Sequence, residues 1–95
     1  MKIYRYTLDK REKTIQLPRG FRVLDAQYQR ENISVWVQQD TDGNHELLNV
    51  KFTLVRTDEE LPTDWKYVST VQMPDEYDEF DKLFSFVYHV FYTFE

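Results

Sequence analysis

Apolar and polar residues alternate with a period of two along most of this chain, and that alternation predicts strands rather than helices. Residues 3–8 (IYRYTL) form the first, and a polar turn at residues 9–12 separates them from a returning segment at 13–17. Pro18-Arg19-Gly20 reads as a turn. Residues 22–28 then alternate, with Arg22, Leu24, Ala26 and Tyr28 on one face and Val23, Asp25 and Gln27 on the other. Residues 33–39 place Ile33, Val35 and Val37 against Ser34, Trp36 and Gln38. Asp40-Thr41-Asp42-Gly43-Asn44 is the clearest hairpin signal, because Asp-Gly tolerates the positive φ that tight hairpins need. Residues 45–56 return as a long strand with Leu48, Val50, Phe52 and Leu54 on one face.

The second half is less regular. Residues 57–64 form an acidic loop, and 65–73 another strand. The acidic stretch 74–82 is expected to be a loop or a single short helical turn. The chain then closes on LFSFVYHVFYTFE, residues 83–95, apolar on both faces. A strand of that kind is buried on both sides, so 84–94 is expected in the interior of a sheet. The expected fold is all-β and mainly antiparallel: a small barrel or sandwich of six to seven short strands in one domain, residues 1–95, with at most one short helical turn.

Composition narrows the function more by exclusion than by signal. Seven Phe, seven Tyr and two Trp exceed what so small a core requires, which points to a ligand pocket or an interface. The absence of cysteine removes disulfides, thiol nucleophiles and cysteine zinc sites, and fits a reducing compartment. No segment reaches the ~18–20 apolar residues of a membrane helix, and no apolar run follows the N-terminal charge, so a cytosolic protein is expected. The net charge of −5 is unevenly spread. Residues 1–30 hold eight Lys/Arg against three acids, whereas 57–82 hold nine acids against two lysines. The first block suits an anion and the second a docking surface.

No catalytic arrangement is visible. Gly20 and Gly43 are the only glycines, which leaves no phosphate loop, and no serine stands in a nucleophile elbow. The two histidines, His45 and His89, lack ligand spacing, so no metal site or cofactor is expected. Binding has better support. Arg5, between Tyr4 and Tyr6, is a forked donor that matches phosphate oxygens. Trp36 is a ring on an otherwise polar face, suited to stacking. Thr70 and Gln72 share a face and can read a base edge. His89 shares a face with Val87 and Phe91, the setting of a half-buried, satisfied histidine.

Four segments form an ordered set: Tyr4-Arg5-Tyr6; TIQLPRG at 14–20 followed by Val23-Leu24 and Gln27; Ser69-Thr70-Val71-Gln72; and Val87-Tyr88-His89-Val90-Phe91. The set resembles a widespread family of small bacteriophage and prophage proteins. Its members begin with a Tyr-Arg-Tyr-like strand, pass through an IxLPxGxxVL turn, and end with GTVQ and WHVF strands. Ser69 stands where that family has glycine and Tyr88 where it has tryptophan, and the acidic stretch is longer here. The resemblance implies a non-catalytic sponge that sequesters a cyclic di- or trinucleotide immune signal, such as a cyclic GMP–AMP, in the cytoplasm of an infected bacterium. On that reading Arg5 holds phosphate, Tyr4 or Trp36 stacks a base, and Thr70, Gln72 and His89 make polar contacts, with Tyr6 and Tyr88 beside them. A homo-oligomer joined through the aromatic C-terminal strand is expected, without direct DNA or RNA binding. Two other readings stand beside it: an acidic inhibitor that mimics nucleic acid against a CRISPR or restriction effector, and an accessory or structural virion protein.

Overall fold

The computed structural model describes residues 1–61, 63–74, 76–77, 83–84 and 86–94, the pairs 76–77 and 83–84 through their backbone. It is an all-β sandwich with no helix among the described residues. Seven main strands are β1 (Lys2–Leu8), β2 (Glu12–Pro18), β3 (Arg22–Gln29), β4 (Asn32–Gln39), β5 (Leu47–Arg56), β6 (Lys66–Gln72) and β9 (Val87–Phe94). Two short ones, β7 (Glu76–Tyr77) and β8 (Leu83–Phe84), pair with each other. Residues 76–77 are therefore extended rather than helical; the remainder of the expected loop or turn, 78–82, lies outside the described residues.

Sheet one has the order β1-β4-β3 and sheet two β2-β5-β9-β6, with every pairing antiparallel. The inner faces interdigitate as the period-two pattern requires. Ile33, Val35 and Val37 of β4 and Leu48, Val50, Phe52 and Leu54 of β5 are buried, joined by Leu8, Leu17, Ala26, Val71 and Val90. Aromatic rings seal one end: Phe21 meets Tyr92 and Phe94 edge-on at centroid separations of 5.9 and 5.2 Å. The closing strand is interior over Val87–Phe94, whereas Phe84, expected at its start, belongs to β8 and pairs with β7 in a separate two-stranded sheet. β9 bonds β5 on one side and β6 on the other, so both its edges are occupied within the chain.

Two expectations are corrected. Residues 40–44 are not a hairpin, because β4 and β5 belong to different sheets and the segment carries the chain across the sandwich. The tight hairpin is instead β3–β4, turned by Arg30 and Glu31 at φ of 51° and 72°. Two consecutive left-handed residues make a type I′ turn, which matches the strand twist even though neither is glycine. The strict alternation of β3 is also broken. Val23 opposes Val37 and Asp25 opposes Trp36, leaving Leu24 as a bulge. Val23 consequently joins Ala26 and Tyr28 on the inner side, while Arg22, expected beside them, turns to the outer face opposite Gln38.

Arg11 fastens the β1–β2 crossover to sheet two. Its carbonyl accepts from Leu54 N (2.8 Å), and its guanidinium donates to Leu54 O from Nη2 (2.9 Å) and to the Glu59 carboxylate. Glu59 Oε1 also accepts from Arg56 N (2.6 Å). Hydrogen bonding from Arg11, then from Arg56, holds the Glu59 carboxyl below its ordinary value of 4.5.

A depressed folded-state pKa gives stability that is present above the ordinary glutamate value and lost as pH falls through the folded one. Glu59→Gln is expected to lower the urea midpoint near neutrality and to converge with the parent protein as pH falls below about 4.5, which flattens the acid limb. Packing gives a second expectation. Phe52, 1% exposed, should lose about 3–5 kcal/mol on conversion to alanine. Leu47→Ala on the same strand, where the side chain is 60% exposed, should stay within about 0.5 kcal/mol in the same denaturation experiment. At the hairpin, replacing Arg30-Glu31 by Asn-Gly relieves two left-handed non-glycine residues and is expected to raise stability by roughly 1 kcal/mol.

Candidate functional site

Strand alternation sends the expected site residues to three places. Tyr4 and Tyr6 share the inner side of β1, opposite Val37 and Val35, and Arg5 points outward. Tyr6 packs on the core and donates to Gln39 Oε1 (2.9 Å). Tyr4 reaches the end of the sandwich, where it lines a groove with Gln39, Asp40 and His45. Tyr88 also faces inward, at the opposite end, packed on the core beneath the Arg11 guanidinium, which lies 5.7 Å from its ring centre. These three rings belong to the core and its rims.

The second group lies on the outer face of sheet two. Thr70 opposes His89, and Gln72 opposes Val87, so Thr70 and Gln72 do share a face with the histidine. His89 is satisfied on both ring nitrogens: Nδ1 bonds Thr70 Oγ1 (2.9 Å) and Nε2 bonds Thr57 Oγ1 (3.0 Å). Thr70 Oγ1 continues the chain to the Tyr67 hydroxyl (2.7 Å). These groups hold one another, tying the 57–61 loop to β9 and β6, and a ligand would have to displace an internal bond to use them. Gln72 lies apart from this chain, along the groove where β3 meets β6.

The third place is the outer face of sheet one, which holds Arg5 and Trp36. Arg5 on β1, Trp36 on β4 and Asp25 on β3 form one cross-strand row. Arg22 lies in the next row, opposite Gln38. The half-buried indole of Trp36 therefore has an arginine-bearing strand on each side. Arg5 Nη1 donates to Gln29 Oε1 (2.8 Å) across β4, and Ser34, between them on this face, is buried at 2% exposure. One of the five guanidinium donors is thus used, which orients the fork and leaves the rest for an anion. Asp25 accepts from Gln27 Nε2 (3.0 Å), so a carboxylate and an amide stand ready-oriented beside the ring.

Pattern reasoning found Arg5 and Trp36 but missed Arg22, Asp25 and Gln27 as their companions. It put Arg22 on the face of Ala26 and Tyr28, because a one-residue bulge inverts every side chain before it. It also missed the clustering of His45 with two acids. His45 Nε2 lies 2.9 Å from Asp40 Oδ2 and 3.6 Å from Asp42 Oδ1. These three side chains are the described group that could ligate a cation, but they are solvent-facing and equally make an ion pair closing the 40–46 crossover.

A family model spans all of residues 1–95. The chain belongs to DUF7352, a domain of unknown function. No curated protein and no solved structure matches it. The DUF7352 description names no ligand or activity, so the chemistry of this member has to be read from its own surfaces.

Proposed function

We propose that this protein is a non-catalytic sponge for a cyclic di- or trinucleotide, held on the outer face of sheet one. The observation that carries the reading is the placement of Trp36 on the middle strand with Arg5 on one neighbouring strand and Arg22 on the other. A cyclic dinucleotide presents a planar base flanked by two phosphodiesters in a closed ring. Trp36 stacks the base, Arg5 and Arg22 take the phosphates as forked donors, and Asp25 with Gln27 meets the polar base edge. The phage setting and the role in suppressing host immune signalling rest on the sequence resemblance. Thr70 and Gln72 belong to the other sheet but line one groove with Asp25 and Gln27 where β3 meets β6, at the edge of this site, whereas His89 is bonded to Thr70 and Thr57.

A nucleic-acid mimic built on the acidic loop has less to stand on, since Glu59 is already committed to Arg11 and to Arg56 N.

Calorimetry against cyclic di- and trinucleotides tests the proposal. Removing one base–aromatic stack costs ~1–3 kcal/mol, so Trp36→Ala should weaken binding roughly 5- to 150-fold. Arg5→Ala and Arg22→Ala should each cost at least as much, because each leaves phosphate charge unpaired. The ligand should be recovered intact on denaturation. No heat with the whole panel, or recovery of a linearised product, overturns the reading.

A further inference from the structure

The outer face of sheet two carries a second recessed surface, remote in sequence from the Arg5–Trp36 row. Thr14 of β2, Lys51 of β5 and Thr93 of β9 form one cross-strand row, floor to a groove of about 520 Å³. Trp65, immediately before β6, walls it on one side, and Asn49 and Phe94 complete the lining. The volume falls in the range of small-molecule sites.

Each lining group has a definite capacity. Trp65 is half-buried, so its ring is fixed and one part remains accessible for stacking. Asn49 Oδ1 accepts from Gln16 Nε2 (3.3 Å), which leaves its NH2 as a donor to a ligand. Thr14 and Thr93 add hydroxyls. Lys51 is the one cation of the lining, and it is paired with Glu12 through Nζ–Oε1 at 3.1 Å. Both side chains of that pair are about half exposed, so the pair is cheap to open. Asp64 borders the adjoining cavity beside Thr93 and Phe94, and Lys66 there sits over the Phe94 ring at 5.4 Å. Lys51 is thus the one releasable positive charge of the lining, and the rim sets two carboxylates, Glu12 and Asp64, against a single further cation, Lys66. Such a field accepts one negative charge and repels a second or third.

We infer that this groove is a site for a planar heteroaromatic ligand bearing a single negative charge, of the class of nucleoside 3′,5′-cyclic monophosphates. The base stacks on Trp65, the Asn49 amide and the two threonine hydroxyls meet its polar edge and ribose, and the phosphodiester replaces Glu12 as the partner of Lys51. Glu12 acts as a charge filter: it competes with the ligand for Lys51 and opposes polyphosphates. The inference does not depend on the Arg5–Trp36 reading, because the two sites lie on different sheets.

The experiment uses a Trp36→Phe protein, in which Trp65 is the only indole, and follows its fluorescence during titration with 3′,5′-cyclic AMP, AMP and ATP. Saturable quenching is expected in the order cyclic AMP, AMP, ATP. Lys51→Ala should weaken cyclic AMP at least ~10-fold, the scale of a charged hydrogen bond. Glu12→Gln should strengthen it roughly two- to fivefold by freeing Lys51, and should narrow the gap to ATP. Both substitutions are at exposed positions and leave the core untouched. No saturable quenching up to ~1 mM cyclic AMP, or quenching indifferent to Lys51→Ala, overturns the inference. So does loss of the cyclic AMP response in Arg5→Ala with Lys51→Ala unaffected, which would put the ligand on the other sheet.

Discussion

The structure depends on the insertion of β9 between β5 and β6. Sheet two has no continuity without it, since β5 and β6 touch each other only through β9. The same insertion brings Val90 into the core and Tyr92 against Phe52, at a ring separation of 5.8 Å. A chain this short has one core and little spare stability. Pairing of this apolar segment with both neighbours completes the ladder and the packing together. β5, buried at alternate positions along its length, is the template that β9 joins.

That architecture fixes where binding chemistry can sit. With the inner faces filled by aliphatic and aromatic side chains, polar groups are left mainly to the two outer faces and the sandwich ends. On sheet one, three strands present Arg5, Trp36 and Asp25 in a row, with rigid backbone holding each side chain at a set spacing. Sites built on strands hold their geometry better than sites on loops. On sheet two, the row of Thr14, Lys51 and Thr93 is held by the same kind of ladder. The chain thus carries two ladders of outward-facing groups whose cations differ in state, Arg5 being bonded to the neutral Gln29 and Lys51 paired with Glu12.

Much of this was legible in the residues. Alternation in 33–39 and 45–56 grouped the core-facing residues of β4 and β5 correctly, because β4 against β1 and β5 against both its partners keep an unbroken register. The interior position of the last strand followed from its two apolar faces. Connectivity was not legible: Asp42-Gly43 carries a hairpin signal, yet local turn chemistry does not say which sheet the next strand will join. The Arg30-Glu31 turn gave no signal, since neither residue favours the conformation that tertiary pairing imposes. Within the candidate site, Arg5 and Trp36 were visible as types out of keeping with their faces. Arg22 was hidden by the Leu24 bulge, a two-against-one pairing that depends on β4 and leaves no mark in β3 itself.

We propose the outer face of sheet one as the ligand surface of this protein. Amide chemical-shift mapping of the intact protein with a cyclic dinucleotide tests it most directly. The account predicts perturbations concentrated in β1, β4 and β3 around Arg5, Trp36, Arg22 and Asp25, with the Trp36 indole among the largest. Shifts confined to sheet two, or none at a saturating concentration of a ligand that thermal stabilisation shows to bind, would contradict it.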